Sequence, residues 1–182
     1  NLTWTFTLRD GLLFHDGKPV TSKDVIASIE RWAKKEPLGQ LLHKVVDSYG
    51  AANDRTVEIK LKSPFPLLLN AIGKPDASLP FVMPERLART DPNTQVTEMV
   101  GSGPYRFVSF APGDRLELVR SDAYYRERPQ WERVTIRFIP NDASRVAALL
   151  ARDVDLIDSV PVTDAATLRS NPQVAVHTGP SV

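Results

Sequence analysis

The most restrictive feature of the chain is its opening, where one strand pattern runs through two turns into a capped helix within 32 residues. Leu2, Trp4, Phe6 and Leu8 alternate with Thr3, Thr5 and Thr7. A period of two places all four large side chains on one face of a strand. Burying each is worth roughly 1.5–3 kcal/mol, so the strand is expected to lie over a core. Asp10-Gly11 and Asp16-Gly17 then read as turns. In TSKDVIASIERWAKK, Thr21 is the expected N-cap and Asp24 sits near the positive end of the helix. Val25, Ile29, Trp32 and Ala33 share one helical face. The pattern predicts a helix ending before Pro37-Leu38-Gly39 and a second helical piece over Gln40 to Val46.

Downstream, Val57, Ile59 and Leu61 alternate as a strand after an Asn53-Asp54 turn. The proline-rich stretch that follows predicts a short helix from Pro66, an extended loop, and a new helix near Pro84-Glu85. Tyr105–Phe107 and Leu116–Leu118 flank APGD as a hairpin. The last third reads as strand (WERVTIRFIP), helix capped by Asp142, strand (VDLIDSVP), helix capped by Thr163, and strand (QVAVHTG). That order is the signature of crossover units in a mainly parallel sheet. The class expected is α/β: an α+β subdomain over 1–103, and over 104–182 the hairpin with the start of a mixed sheet.

Composition narrows the functions. Lys and Arg number 23 against 22 Asp and Glu, a net charge of +1, which makes no electrostatic case for nucleic acid or an anionic membrane. No apolar run approaches the ~20 residues of a spanning helix. The chain has no cysteine, which removes disulfides, thiolate nucleophiles and cysteine metal ligands. It opens on a strand pattern at Asn1 and stops in or just after another, as a piece of a longer chain would.

Candidate chemistry is sparse. His15, His43 and His177 have no metal-ligand spacing. His15 beside Asp16 is a conceivable dyad, but a hydrogen bond fixing the turn is the simpler reading. GSGPY at Gly101 carries Pro104 where a nucleophile elbow needs a helix start. Asp153, Asp155 and Asp158 lack the further oxygen ligands of a calcium loop. Arg126, Arg128, Arg133 and Arg137 around Tyr124, Tyr125 and Trp131 are diluted by Glu127 and Glu132. No cofactor, metal or catalytic residue is therefore expected.

The order of the pieces carries a resemblance. WTFTLRDGLLFHDGKPVTSKDV, then GSGPYRFVSFAPGD, then SDAYYRERPQWERVTIRFIPNDASRVAALLARDVDLI together resemble the family 5 extracellular solute-binding proteins. Tyr125 stands where that family often has tryptophan, and Arg152 where it usually has glycine. The resemblance implies part of a much longer, two-lobed class II periplasmic-binding-protein fold. It implies a monomeric receptor, periplasmic or extracellular, with a lipid anchor possible on the full-length protein. Such a receptor captures a peptide, chelate or sugar and delivers it to an ABC permease. Alignment to the family points to Leu38, Gly39, Lys74 and Asp76 as cleft-facing, with Lys74 able to meet a ligand carboxylate; a solvated loop lysine is the plain alternative for Lys74. A sensor domain behind a DNA-binding domain, and a hydrolase using His15 with Asp16, are the alternatives.

Overall fold

The structure is a computed structural model, and it describes residues 1–74 and 78–179. The chain forms two compact units, one of Asn1–Val108 with Glu117–Val134 and the other of Ser109–Leu116 with Thr135–Val182.

The first unit is built on the opening predicted above. β1 (Thr3–Thr7) pairs antiparallel with β3 (Thr56–Leu61), which pairs antiparallel with β2 (Val46–Asn53), giving the order β1-β3-β2. Trp4, Ile59 and Tyr49 stand opposite one another across this sheet, on one face. Val57 and Ile59 are fully buried there, and Trp4 and Phe6 pack on the same core. α1 (Ser22–Ala33) covers this face with Ile26, Ile29, Trp32 and Ala33. α2 (Pro37–Val45) adds Leu42, and α3 (Leu68–Ile72) adds Leu68 and Ala71.

The corner between β1 and α1 is made as the residues suggest. Gly11 and Gly17 adopt φ of +70° and +81°, a region that favours glycine, and Phe14 is buried. The Asp24 carboxylate accepts from the Thr21 backbone N–H at 2.7 Å and from its hydroxyl at 2.6 Å. It also accepts from the N–H of Glu85 at 2.7 Å, so the same side chain opens α4 (Glu85–Ala88). Ser22 ties α1 to the β2–β3 turn through its hydroxyl on Asn53 C=O and its N–H on Asp54 C=O.

Two expectations in this unit need correction. α2 begins at Pro37 and not at Gln40, because proline suits the first turn of a helix, where its N–H is not needed. Glu36 is the N-cap, its carboxylate accepting from Gly39 N–H at 2.6 Å. The strand β2 was not foreseen at all.

The second sheet has the order β4-β5-β6, from Tyr105–Ala111, Arg115–Arg120 and Arg133–Arg137. Three residues join β4 to β5, too few for anything but a hairpin. Arg120 N–H bonds Glu132 C=O and Phe138 N–H bonds Asp114 C=O, the descending register of an antiparallel pair. α5 (Asp142–Leu150) and α6 (Val162–Ser170) follow. The mixed α/β class is as expected, but three details differ. Asn141, not Asp142, caps α5, accepting from Ser144 N–H at 2.9 Å. α6 starts after Pro161, and Thr163 lies inside it. Residues 154–161 and 173–179 form no strand, so no crossover parallel sheet exists among the described residues. Alternating apolar residues define a face only; a strand also needs a neighbour to fill its backbone hydrogen bonds. Neither segment has one among the described residues.

Candidate functional site

Of the residues expected to face a cleft, three are described, and they gather where α1 ends, α2 begins and α3 ends. Leu38 is half-buried against the core in the first turn of α2. Gly39 is buried, and a Cβ there would sit 2.9 Å from the Ala33 Cα and from two ring carbons of Trp32. Its lack of a side chain lets α2 close onto α1. Lys74 follows Gly73 at the end of α3 and donates to Glu36 at 2.5 Å. Asp76 lies outside the described residues. Trp32 Nε1–H donates to the Ser78 carbonyl, also at 2.5 Å.

Glu36 is the centre of this arrangement, and sequence reasoning passed over it. One oxygen takes the Lys74 ammonium and the other the Gly39 N–H. Its side chain is 9% exposed and that of Lys74 19%. Burial alone pushes the carboxyl up, but the Lys74 ammonium and the N–H groups of Gly39 and Leu38 outweigh it and hold Glu36 below the usual carboxylate range. A depressed folded-state value means stability that is complete above the usual range and lost as pH falls through the folded value. The stability difference between wild type and Glu36→Gln is therefore expected to shrink as pH drops below 4.5, the ordinary value for glutamate. Denaturant titrations of both proteins across that range measure it, and a difference that grows on acidification contradicts the assignment. The available signal was Glu36-Pro37 itself, an acceptor before a proline, which is a helix start.

The other candidates resolve into scaffold. His15 donates its backbone N–H to Gly101 C=O at 2.8 Å. Its Nε2 lies 3.0 Å from Gly103 C=O, and its Nδ1 accepts from Gly101 N–H at 3.4 Å. A carbonyl only accepts, so Nε2 carries the proton, and both ring nitrogens are spent on the 101–103 segment. Asp16 instead accepts from the Lys18 N–H and lies 3.8 Å from Arg86. The pair is not a dyad. The guanidinium groups of Arg9 and Arg126 lie over the Tyr125 ring, 5.7 and 5.5 Å from its centre. Among the described residues no group of three or more His, Cys, Asp or Glu is placed to hold a metal. In the second unit an open groove of about 480 Å³ is lined by apolar residues such as Leu149, Ile157 and Leu168, with Arg152, Asp155 and His177 among its polar ones.

A helix-covered antiparallel sheet, followed by a hairpin sheet and two further helices, is the architecture of one part of a class II periplasmic binding protein. The chain belongs to the bacterial extracellular solute-binding proteins, family 5, whose family model matches residues 1–182. A probable peptide ABC transporter periplasmic-binding protein of Sinorhizobium fredii is 33% identical over 96% of this chain. A probable D,D-dipeptide-binding periplasmic protein of Escherichia coli is 33% identical over 98%. Among solved structures, the periplasmic binding protein AgaA from A. tumefaciens R10, in complex with agropinic acid, is 31% identical with a TM-score of 0.75 over 93% of this chain. The chain spans 35% of the length of both curated relatives and 34% of that solved chain. No helix among the described residues is long and apolar enough to cross a membrane.

Proposed function

We propose that the protein to which this chain belongs is the solute-binding component of an ABC-type importer. It works as a monomer in the periplasm or outside the cell, held there by a lipid anchor where no outer membrane retains it. It takes up a peptide-like or similar small solute and passes it to a membrane permease, and it makes and breaks no bond. The observation that carries this reading is the family match over the whole of residues 1–182. The named relatives support a peptide over a sugar. Leu38, Gly39, Lys74 and Asp76 contribute to one wall of the solute site. Closure follows when a solute touches two walls at once and so binds the closed state more tightly than the open one.

Native mass spectrometry of the full-length protein, followed by calorimetry with whatever copurifies, tests this. One small solute per chain, released unchanged on denaturation, is the expected result. Folded protein that binds no peptide, chelate or sugar overturns the reading. So does a solute recovered as a cleavage product whose formation stops in His15→Ala.

A further inference from the structure

Lys74 carries a full positive charge, yet the structure gives it a fixed counter-charge. Its ammonium has three N–H donors, of which Glu36 takes one at 2.5 Å. The other two have no partner among the described residues. Lys74 is also the more accessible member of the pair, 19% against 9%.

We propose that Lys74, held by Glu36, is a specificity residue of the solute site that reads a neutral acceptor, such as an amide carbonyl, and discriminates against a carboxylate. The proposal rests on the reading above that Lys74 belongs to the wall of that site. The pair sums to zero charge, and the Lys74 ammonium with the N–H groups of Gly39 and Leu38 holds the Glu36 carboxyl below the usual carboxylate range. An incoming carboxylate would have to share the ammonium and lie beside a buried like charge, an arrangement that is disfavoured. Glu36 cannot turn away to make room, because its other oxygen holds the first turn of α2 through Gly39 N–H. A carbonyl oxygen meets the same two donors without that repulsion. The elements that meet here also expose apolar side chains, Leu41 on α2 and Leu69 on α3, each about half accessible. These suit the uncharged body of a peptide better than a polyanion.

The experiment uses full-length protein with trialanine and trialanine C-terminal amide, titrated by calorimetry at low and high salt. Wild type, Glu36→Gln and Lys74→Met are compared. Glu36→Gln keeps an oxygen for the Gly39 N–H, so α2 stays capped while the counter-charge is removed. The ratio of affinities, trialanine over its amide, is expected to rise about tenfold in Glu36→Gln, the scale of one charge-assisted hydrogen bond, and to fall back in high salt. Lys74→Met is expected to weaken the amide, whose carbonyl loses its donors, and to disfavour trialanine further, because it uncovers the Glu36 charge. Wild type that prefers trialanine to its amide shows that Lys74 already binds the carboxylate, and overturns the proposal. So does a ratio that Glu36→Gln does not move, or binding indifferent to Lys74. If folded wild type binds neither peptide, the peptide reading fails together with this proposal; binding indifferent to Lys74 also removes Lys74 from the wall of the site, and the other outcomes defeat the proposal alone.

Discussion

Trp32→Ala is expected to destabilise the protein by about 3–5 kcal/mol, the range for removing a large aromatic from a core. The side chain is 8% exposed and sits in the cluster that joins α1, α2 and the β1-β3-β2 sheet. Gly39 leaves room for the ring: a Cβ there would lie 2.9 Å from two of its carbons. The change also strands the Ser78 carbonyl, which accepts the indole N–H. A loss of this size is a large part of the ~5–15 kcal/mol that a native domain has in total. Denaturant unfolding of the full-length protein measures it as a lower midpoint. Trp32→Phe separates the two contributions: it keeps most of the ring and loses the donor, and is expected to cost about 1 kcal/mol more than its lost area explains. A loss below about 1 kcal/mol for Trp32→Ala would show that this junction does not support the core.

Asp24→Ala is expected to cost about 2–4 kcal/mol, because hydrogen bonds to a charged acceptor are worth ~1.5–3 kcal/mol each and their donors are left unsatisfied. One carboxylate receives the Thr21 N–H, the Thr21 hydroxyl and the Glu85 N–H. Losing it uncaps α1 and detaches the start of α4 in the same step. Amide hydrogen exchange should quicken at Thr21 and Glu85 while the interior of β3 stays protected. Asp24→Asn, which retains one carbonyl oxygen, should recover part of the loss. Unchanged exchange at Glu85 would refute the double role.

Where structure was legible in the residues, the information was local. The Trp4–Phe6 alternation, the Asp-Gly turns and the Thr21–Asp24 cap each depend on contacts within a few positions, and each formed, although Leu2 falls outside β1 and stays about half exposed. β2 was illegible because Gly50, Ala51, Ala52 and Asn53 are poor strand formers. It exists because β3 offers its free edge, with Tyr49 opposite Ile59. The opposite error arose at 154–161 and 173–179. Their apolar alternation was real, but no strand stands beside them among the described residues.

The candidate site shows the same division. Lys74 was read as able to meet a ligand carboxylate, and only the fold reveals that Glu36, 38 positions earlier, holds it. His15 was rightly placed in a turn, but its partners are Gly101 and Gly103, up to 88 positions away, and not the adjacent aspartate. Sequence by itself determined β1, β3, the helices in outline and where the first helix starts. Periodicity, capping and residue type act over a few residues and are written in order along the chain. Tertiary structure alone decided which strands found neighbours and which charges met. Those depend on through-space approach between distant positions, and a buried carboxylate takes whichever cation the packing of α1, α2 and α3 brings within reach.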